Sequence, residues 1–531
     1  MKLKIINLLG LIILINCFMV HAQENDIIRR KIENRNTIPL SAFGVPVYCK
    51  QSVPVFYQNA FFETVWNPEL AKKLVSTISN ATLEGLNPED YHYSKLVEVL
   101  KRNNLTEYEK AEFDILLTDA FMLYVSHLVS GKVNPVTVDA EWYVRKNDIE
   151  FNKIFNKGSV SNIDATIRSV LPKHETYNSL KFALQKYLAL DSDEWLTLTA
   201  EKTIKLGDEH PAIPMIRERL YLLGDLKDAS FETQNLYDEK LHNAVRIFQA
   251  RHGIAVDGDI GPKTMRTLNV SIDQRIDQIR TNMERWRWLP QEFGNFYIIV
   301  NIANFDLGIY KNKKLEKQYK VIVGKPYRQT PVFHAGMQYL VLNPTWTVPP
   351  GILNNDIIPS VKKDPNYLTT KKIDVIDKQG NILNTSNIDW NNSVVKGYTY
   401  RQSPGPDNSL GSVKFMFPNG FHVYLHDTPA KELFEKGERA FSSGCIRVQE
   451  PLKLAEYLLN DSVNYNLAKI EDIVQTRKTQ TIKLTEQPNV YLLYWTAWTD
   501  NEGRVQFRED IYERDKNLIQ ALAQSPIEVI Y

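Results

Sequence analysis

At 531 residues, with 64 Lys plus Arg against 63 Asp plus Glu, the chain has a formal net charge of +1. That balance leaves no broad electrostatic field for nucleic acid or an anionic membrane, so recognition has to be local. The length suits about two to four domains, and the 43% hydrophobic and 24% charged content is that of a folded, soluble protein.

The first 22 residues carry two lysines, an apolar run from Ile5 to Val20 and then Val20-His21-Ala22. This is the layout of a secretory signal, with the mature chain starting near Gln23. A retained anchor, which would leave the protein membrane-associated, and a lipoprotein through Cys17 are the alternatives. Asn16 is a poor residue before a lipidated cysteine. No later run reads as long and apolar enough to span a bilayer. The expectation is export to the periplasm or cell envelope. There cysteines tend to pair, but Cys49 and Cys445 can form at most one disulfide, and a lone exported thiol beside histidines is a candidate nucleophile.

Residues 23–200 read as a helical, loop-rich scaffold. Phe113, Leu116, Leu117, Phe121 and Tyr124 recur at helical spacing and mark a buried face, with His127 in the same apolar helix as a structural histidine. Residues 208–270 read as three short helices: Ile213, Ile216, Leu220 and Leu223 form one stripe, and Leu241, Val245 and Phe248 a second. Phe248-Gln249, His252-Gly253, Asp257-Gly258, Ile260-Gly261 and Thr264 punctuate them, and this combination resembles the peptidoglycan-binding domain family.

A helical linker follows over 271–294, and the period then changes. "NFYIIVNIANFDLGIY" and "QYKVIVG" open a β-rich domain over 295–480. The strand pattern lapses over about 354–398, too long for a structureless loop, which predicts an inserted capping subdomain. Residues 481–531 read as a closing strand pair and a short helix that complete the scaffold or the catalytic domain. The fold class is α+β and multidomain.

Chemistry concentrates in "FHVYLHDTPAKELFEKGERAFSSGCIRV", Phe421 to Val448. Alternation along "FHVYLHD" predicts one strand with Phe421, Val423 and Leu425 on one face and His422, Tyr424 and His426 on the other. A returning hairpin would then bring Cys445 beside His426. A histidine can take the proton of a thiol and leave the reactive thiolate, which makes His426 the base and Cys445 the nucleophile. Gly444 lets a carbonyl approach the backbone, the Cys445 amide with a neighbouring N–H would hold an oxyanion, and Arg447 suits a carboxylate. Two other readings stand beside this one: a buried structural thiol, and zinc held by His422, His426 and Cys445.

"HDTP" at His426 to Pro429, followed by "FSSGCIRV" at Phe441 to Val448, resembles the L,D-transpeptidase signature of the YkuD catalytic domain. "NPTWTVPPGI" at Asn343 to Ile352 resembles the strand and loop of its large periplasmic members. The resemblance implies that Cys445 accepts the acyl group, that His426 is the general base, and that Gly444 and Cys445 contribute to the oxyanion hole. Ser443 and Arg447 would shape the pocket, with His422, Tyr424, Trp346 and Asp427 as candidate substrate-binding residues. It also implies stem tetrapeptides of peptidoglycan as donor and acceptor, 3→3 cross-linking, acylation by carbapenems, other cell-wall synthesis proteins as partners, and no metal or organic cofactor. Alternatives are an L,D-carboxypeptidase, an enzyme that attaches protein to peptidoglycan, and a non-catalytic peptidoglycan-binding envelope protein.

Overall fold

The computed structural model describes residues 23–144, 151–190, 195–228 and 235–526. The signal-like segment lies outside them. The N-terminal unit is helical with one small hairpin, β1 (Ser41–Ala42) and β2 (Val45–Pro46), around the 24-residue helix Glu107–Ser130. Thr106 and Glu109 start that helix with a reciprocal capping box, satisfying amides that have no partner within the helix. By length and composition alone this helix could cross a membrane, contrary to the sequence expectation that no later run could. It is instead the buried centre of the scaffold. Asp114 accepts from the amides of Val65 (3.0 Å) and Trp66 (2.9 Å), and Asp119 from those of Tyr48 (3.0 Å) and Cys49 (2.7 Å). His127 bonds Tyr91 through Nδ1 at 3.0 Å and is structural.

Three helices, Ile213–Leu222, Glu239–Arg251 and Pro262–Leu268, form the small bundle. Its signature residues do local structural work. Gln249 donates to Asp257 (2.8 Å) and accepts from the Gly258 amide (2.8 Å), while Thr264 donates to the Asp259 carbonyl (3.1 Å). His252 is buried, 3.9 Å from Phe248 and 5.5 Å from Phe507 between ring centroids, which seats the bundle on the C-terminal hairpin described below.

The segment expected to be a linker is a central strut. Along Ile272–Arg287, Glu284 accepts from the Val133 amide (2.7 Å) and Arg287 (2.8 Å), Arg287 also donates to Tyr177 (2.9 Å), and Arg285 pairs with Asp515 (2.6 Å). Charges this deeply buried are tolerated only when paired, and loss of one partner typically costs about 3–5 kcal/mol. The helix thereby fixes the scaffold and the C-terminal helix Arg514–Ala523 to the catalytic unit.

The catalytic unit is an eleven-stranded sheet. β3 (Phe296–Asn301), β4 (Asp306–Lys311) and β5 (Lys314–Gly324) make an antiparallel meander at its centre. β6 (Phe333–Gly336) and β7 (Tyr339–Leu342) lie on opposite sides of that meander. The inserted unit supplies a separate three-stranded sheet, β8 (Trp346–Thr347), β9 (Ile373–Ile376) and β10 (Thr399–Gln402), with its own apolar core. β11 (Val413–Met416), β12 (Leu425–His426), β13 (Ala440–Ser442) and β14 (Ile446–Val448) carry the signature segment. β15 (Gln480–Lys483) extends the β7 edge, and β16 (Asn489–Leu493) inserts between β3 and β6. β17 (Ala497–Thr499) and β18 (Val505–Phe507) form the closing hairpin.

Two expectations change. The cap core includes Trp346, Tyr400 and Leu410, so the insert reaches beyond 354–398 on both sides. Its first strand was hidden because "TWTV" has the same composition as the main sheet. The tail from 481 also contributes a buried central strand, β16, so it completes the catalytic sheet rather than the scaffold.

Candidate active site

β12 and β14 lie side by side and parallel, Leu425 opposite Ile446 and His426 opposite Arg447, with the Ile446 amide donating to the Tyr424 carbonyl at 3.1 Å. The expected hairpin is therefore replaced by a parallel pair. Between them the chain makes a turn at Lys431–Glu435 and lays β13 along the end of β5, which reverses its approach. In a parallel pair, facing residues project to the same side of the sheet, and so do residues two apart. Tyr424, His426, Cys445 and Arg447 consequently share one face.

The contacts agree. The Tyr424 side chain lies beside the Cys445 sulfur and favours its thiolate, the Tyr424 and His426 rings meet edge to face at 5.6 Å, and Cys445 Sγ donates to the His422 carbonyl at 3.7 Å. His426 is buried, and its Nδ1 lies 2.5 Å from the Asp427 carbonyl. A carbonyl can only accept, so Nδ1 carries the proton and Nε2 holds a free lone pair. Burial above all, then the Arg447 charge, pushes the His426 pKa down to about 3. Burial also pushes the Cys445 thiol up, against the pull of the Tyr424 bonds and Arg447. The resting pair is thus neutral thiol and neutral imidazole, not a preformed ion pair.

The turn before Cys445 is tightly held. Ser442 Oγ donates to the Cys445 carbonyl (2.5 Å) and accepts from the Gly444 amide (3.1 Å), and Thr330 donates to the Gly444 carbonyl (2.9 Å). Gly444 has φ +113°, a conformation that side chains rarely adopt. Its role is to shape this turn. Its amide is engaged by Ser442, which corrects its expected place as an oxyanion donor. The Cys445 amide has no acceptor among the described residues.

The remaining expected site residues separate. Ser443 is exposed and accepts from Arg328 at 3.0 Å. The His422 imidazole is also exposed, and its φ of +56° breaks the strand alternation, so the trio required for zinc does not assemble. Trp346 is 8% exposed inside the cap core, a cluster against which Tyr424 also packs. The Asp427 side chain is engaged within the protein. Its carboxylate accepts from the amides of Ser412 (2.8 Å) and Thr428 (2.7 Å), pairs with Lys431, and packs under Gly411, where a Cβ would lie 2.3 Å from Asp427 Cγ.

Sequence reasoning missed two groups. Lys414 on β11 lies opposite His426 and 5.9 Å from the Tyr424 ring centroid; burial lowers its pKa, and no acceptor binds it among the described residues. Alternation in "SVKFMF" could have placed it. Arg328 links the sheet to the cap through a bidentate pair with Asp356 (2.5 and 2.9 Å) and also reaches Ser443. Asp356 sits on the π-helical turn Leu353–Ile357, and nothing local in the sequence marks that meeting.

A YkuD-type fold is what this arrangement defines, and comparison with known families agrees. Residues 295–475 match the "L,D-transpeptidase catalytic domain", 209–268 the "Putative peptidoglycan binding domain" and 51–184 the "Scaffold domain". The chain thus carries a YkuD L,D-transpeptidase catalytic domain together with scaffold and peptidoglycan-binding domains. It is 36% identical over 242 residues to a "Putative L,D-transpeptidase" of Haemophilus influenzae, a match covering 45% of this chain and 48% of that protein, or about half the length of the curated relative. Among solved structures, Mycobacterium tuberculosis L,D-transpeptidase 1 is 12% identical with a TM-score of 0.15, over 38% of this chain and 61% of that one. A fused Zn-dependent amidase/peptidase/peptidoglycan-binding protein from Clostridium acetobutylicum is 14% identical with a TM-score of 0.18, over 55% of this chain and 99% of that one. Neither overlap is close enough to bear on the fold.

Proposed function

We propose that this protein is an exported peptidoglycan L,D-transpeptidase that forms 3→3 cross-links through a thioester on Cys445. The supporting observation is the convergence of Tyr424, His426, Cys445 and Arg447 on one face, with the free lone pair of His426 held at Nε2.

Because both partners are neutral at rest, proton transfer accompanies attack. The thiol proton passes to His426 Nε2 as Sγ bonds the carbonyl carbon of the third stem residue. The C–N bond to the terminal D-alanine then breaks, and that amine leaves with the proton from His426. The side-chain amine of a second stem attacks the thioester and gives its proton to His426, which returns it to sulfur. The Cys445 amide faces the developing oxyanion, the Tyr424 hydroxyl stabilises the sulfur, and Arg447 and Lys414 pair with stem carboxylates. The signal-like first 22 residues support the periplasm or cell envelope as the place of this reaction.

The test is product analysis with disaccharide-tetrapeptide. A dimer joined between two diamino acids, with free D-alanine, is expected, as is acylation of Cys445 by a carbapenem. Tripeptide without dimer would mean that water is the acceptor and the enzyme is a carboxypeptidase. Unchanged tetrapeptide and no carbapenem adduct would leave a peptidoglycan-binding protein without this chemistry.

A further inference from the structure

A groove of about 720 Å³ contains no member of the cysteine cluster. It runs over the β3–β4 part of the catalytic sheet, between the end of the central strut and the β17–β18 hairpin. Its walls combine two kinds of group. Trp286 and Trp495, stacked at 4.4 Å and 16°, and Tyr297 are buried in its floor, while Tyr310, stacked on Tyr297 at 5.0 Å and 8°, and Trp498 on the hairpin are half-exposed. Between these rings lies a network of planar polar side chains fixed by one another. Arg508 donates to Asn304 (2.6 Å) with its guanidinium 4.8 Å over Trp498, Gln318 donates to Asp306 (2.7 Å), and Gln506 donates to Asp500 (3.0 Å).

Aromatic faces beside pre-ordered amides and carboxylates suit a ligand with apolar C–H faces and an edge of hydroxyls that both donate and accept. The lining charges are mixed, Lys173, Lys313 and Arg508 against Glu175, Glu292, Asp306 and Asp500, so the groove presents no strong field for a polyanion or a polycation. A pyranose chain has this chemistry. The groove also adjoins the peptidoglycan-binding bundle, since Arg508 donates to the Arg251 carbonyl at 3.0 Å.

We propose that the groove lined by Tyr310, Trp498, Asp306, Gln318 and Arg508 is a saccharide-binding site for a β-1,4-linked amino-sugar chain. This rests on the peptidoglycan reading above, and it assigns the glycan strand a seat separate from the one that takes the stem peptide. Bound there, the strand is held by the catalytic domain itself as well as by whatever the bundle contributes.

The experiment titrates a β-1,4-linked N-acetylglucosamine tetramer into full-length Cys445→Ala protein, following tryptophan fluorescence and calorimetry, so that binding is read without chemistry. Saturable binding is expected, weakened about tenfold by the added Trp498→Ala, as loss of one aromatic face predicts. Gln318→Ala, at an exposed position, weakens it to a smaller degree and decides the matter if Trp498→Ala does not fold. In the Cys445 background, both groove variants keep the acylation rate with a sugar-free tetrapeptide and lose rate with the disaccharide-bearing donor. No binding by the parent, or undiminished binding in a folded Trp498→Ala protein, overturns the assignment. The transpeptidase reading is untouched by either result, because the sugar-free donor tests it separately.

Discussion

The molecule brings a cysteine and a histidine together in two places, and their surroundings are opposite. In the scaffold, Cys49, His92 and Asp119 come together: Asp119 accepts from the Cys49 amide at 2.7 Å and from His92 Nε2 at 2.7 Å, and Cys49 is fully buried. In the catalytic sheet, Cys445 and His426 share one face, but His426 bonds a backbone carbonyl, Cys445 is partly exposed, and the nearby charge is Arg447. Burial above all, then Asp119, pushes the Cys49 thiol well up, whereas Tyr424 and Arg447 oppose burial at Cys445. Access and the sign of the neighbouring charge separate a reactive thiol from an inert one. Neither thiol is in a disulfide.

The sharpest break of this comparison is at the cysteines themselves. Cys445→Ala removes acyl transfer altogether, while Cys49→Ala keeps the rate and lowers stability by about 1 kcal/mol, read from denaturant unfolding of both proteins. His426→Ala lowers the acylation rate by about 10² to 10⁴-fold, the usual contribution of a general base, whereas a His92→Ala protein that folds keeps the wild-type rate constant. Stopped-flow acylation by a carbapenem would separate them.

The electrostatic contrast is tested by pH. A thiol raised by burial should alkylate with iodoacetamide at a rate that keeps climbing past the ordinary thiol range, and Arg447→Gln should move that curve to still higher pH, because the lost cation favoured the thiolate. His426, with a pKa of about 3, stays neutral from there upward, so its protonation produces no step in the resting enzyme between pH 5 and 8. A step there that disappears in His426→Ala would contradict the neutral pair. The smallest effect expected is that of Arg328→Ala. Releasing Asp356 and Ser443 loosens the cap over the site and should raise KM a few-fold with little change in kcat, about 1 kcal/mol for a partly exposed bidentate pair.

The scaffold, bundle, sheet and signature segment were legible because each has its own period or turn chemistry. The helical stripe at Ile213, Ile216 and Leu220 and the motif around Cys445 are local facts of the chain. What escaped was set by long-range pairing. The parallel register of β12 with β14 depends on β13 finding β5, more than a hundred residues earlier, and no spacing reveals it. The same holds for the Arg328 to Asp356 link and for the strut, whose buried Arg285 and Arg287 look like solvent-facing charges until their partners are known. Asp427 follows His426 directly in the chain, yet its carboxylate turns to the amides of Ser412 and Thr428 and to Lys431, partners that sequence proximity does not reveal.

The most direct measurement is intact-protein mass spectrometry of wild type, Cys49→Ala and Cys445→Ala after mixing with a stem tetrapeptide donor. The account predicts a tripeptidyl adduct on wild type and Cys49→Ala and none on Cys445→Ala. An adduct retained by Cys445→Ala, or lost with Cys49→Ala in a protein that still folds, would contradict it.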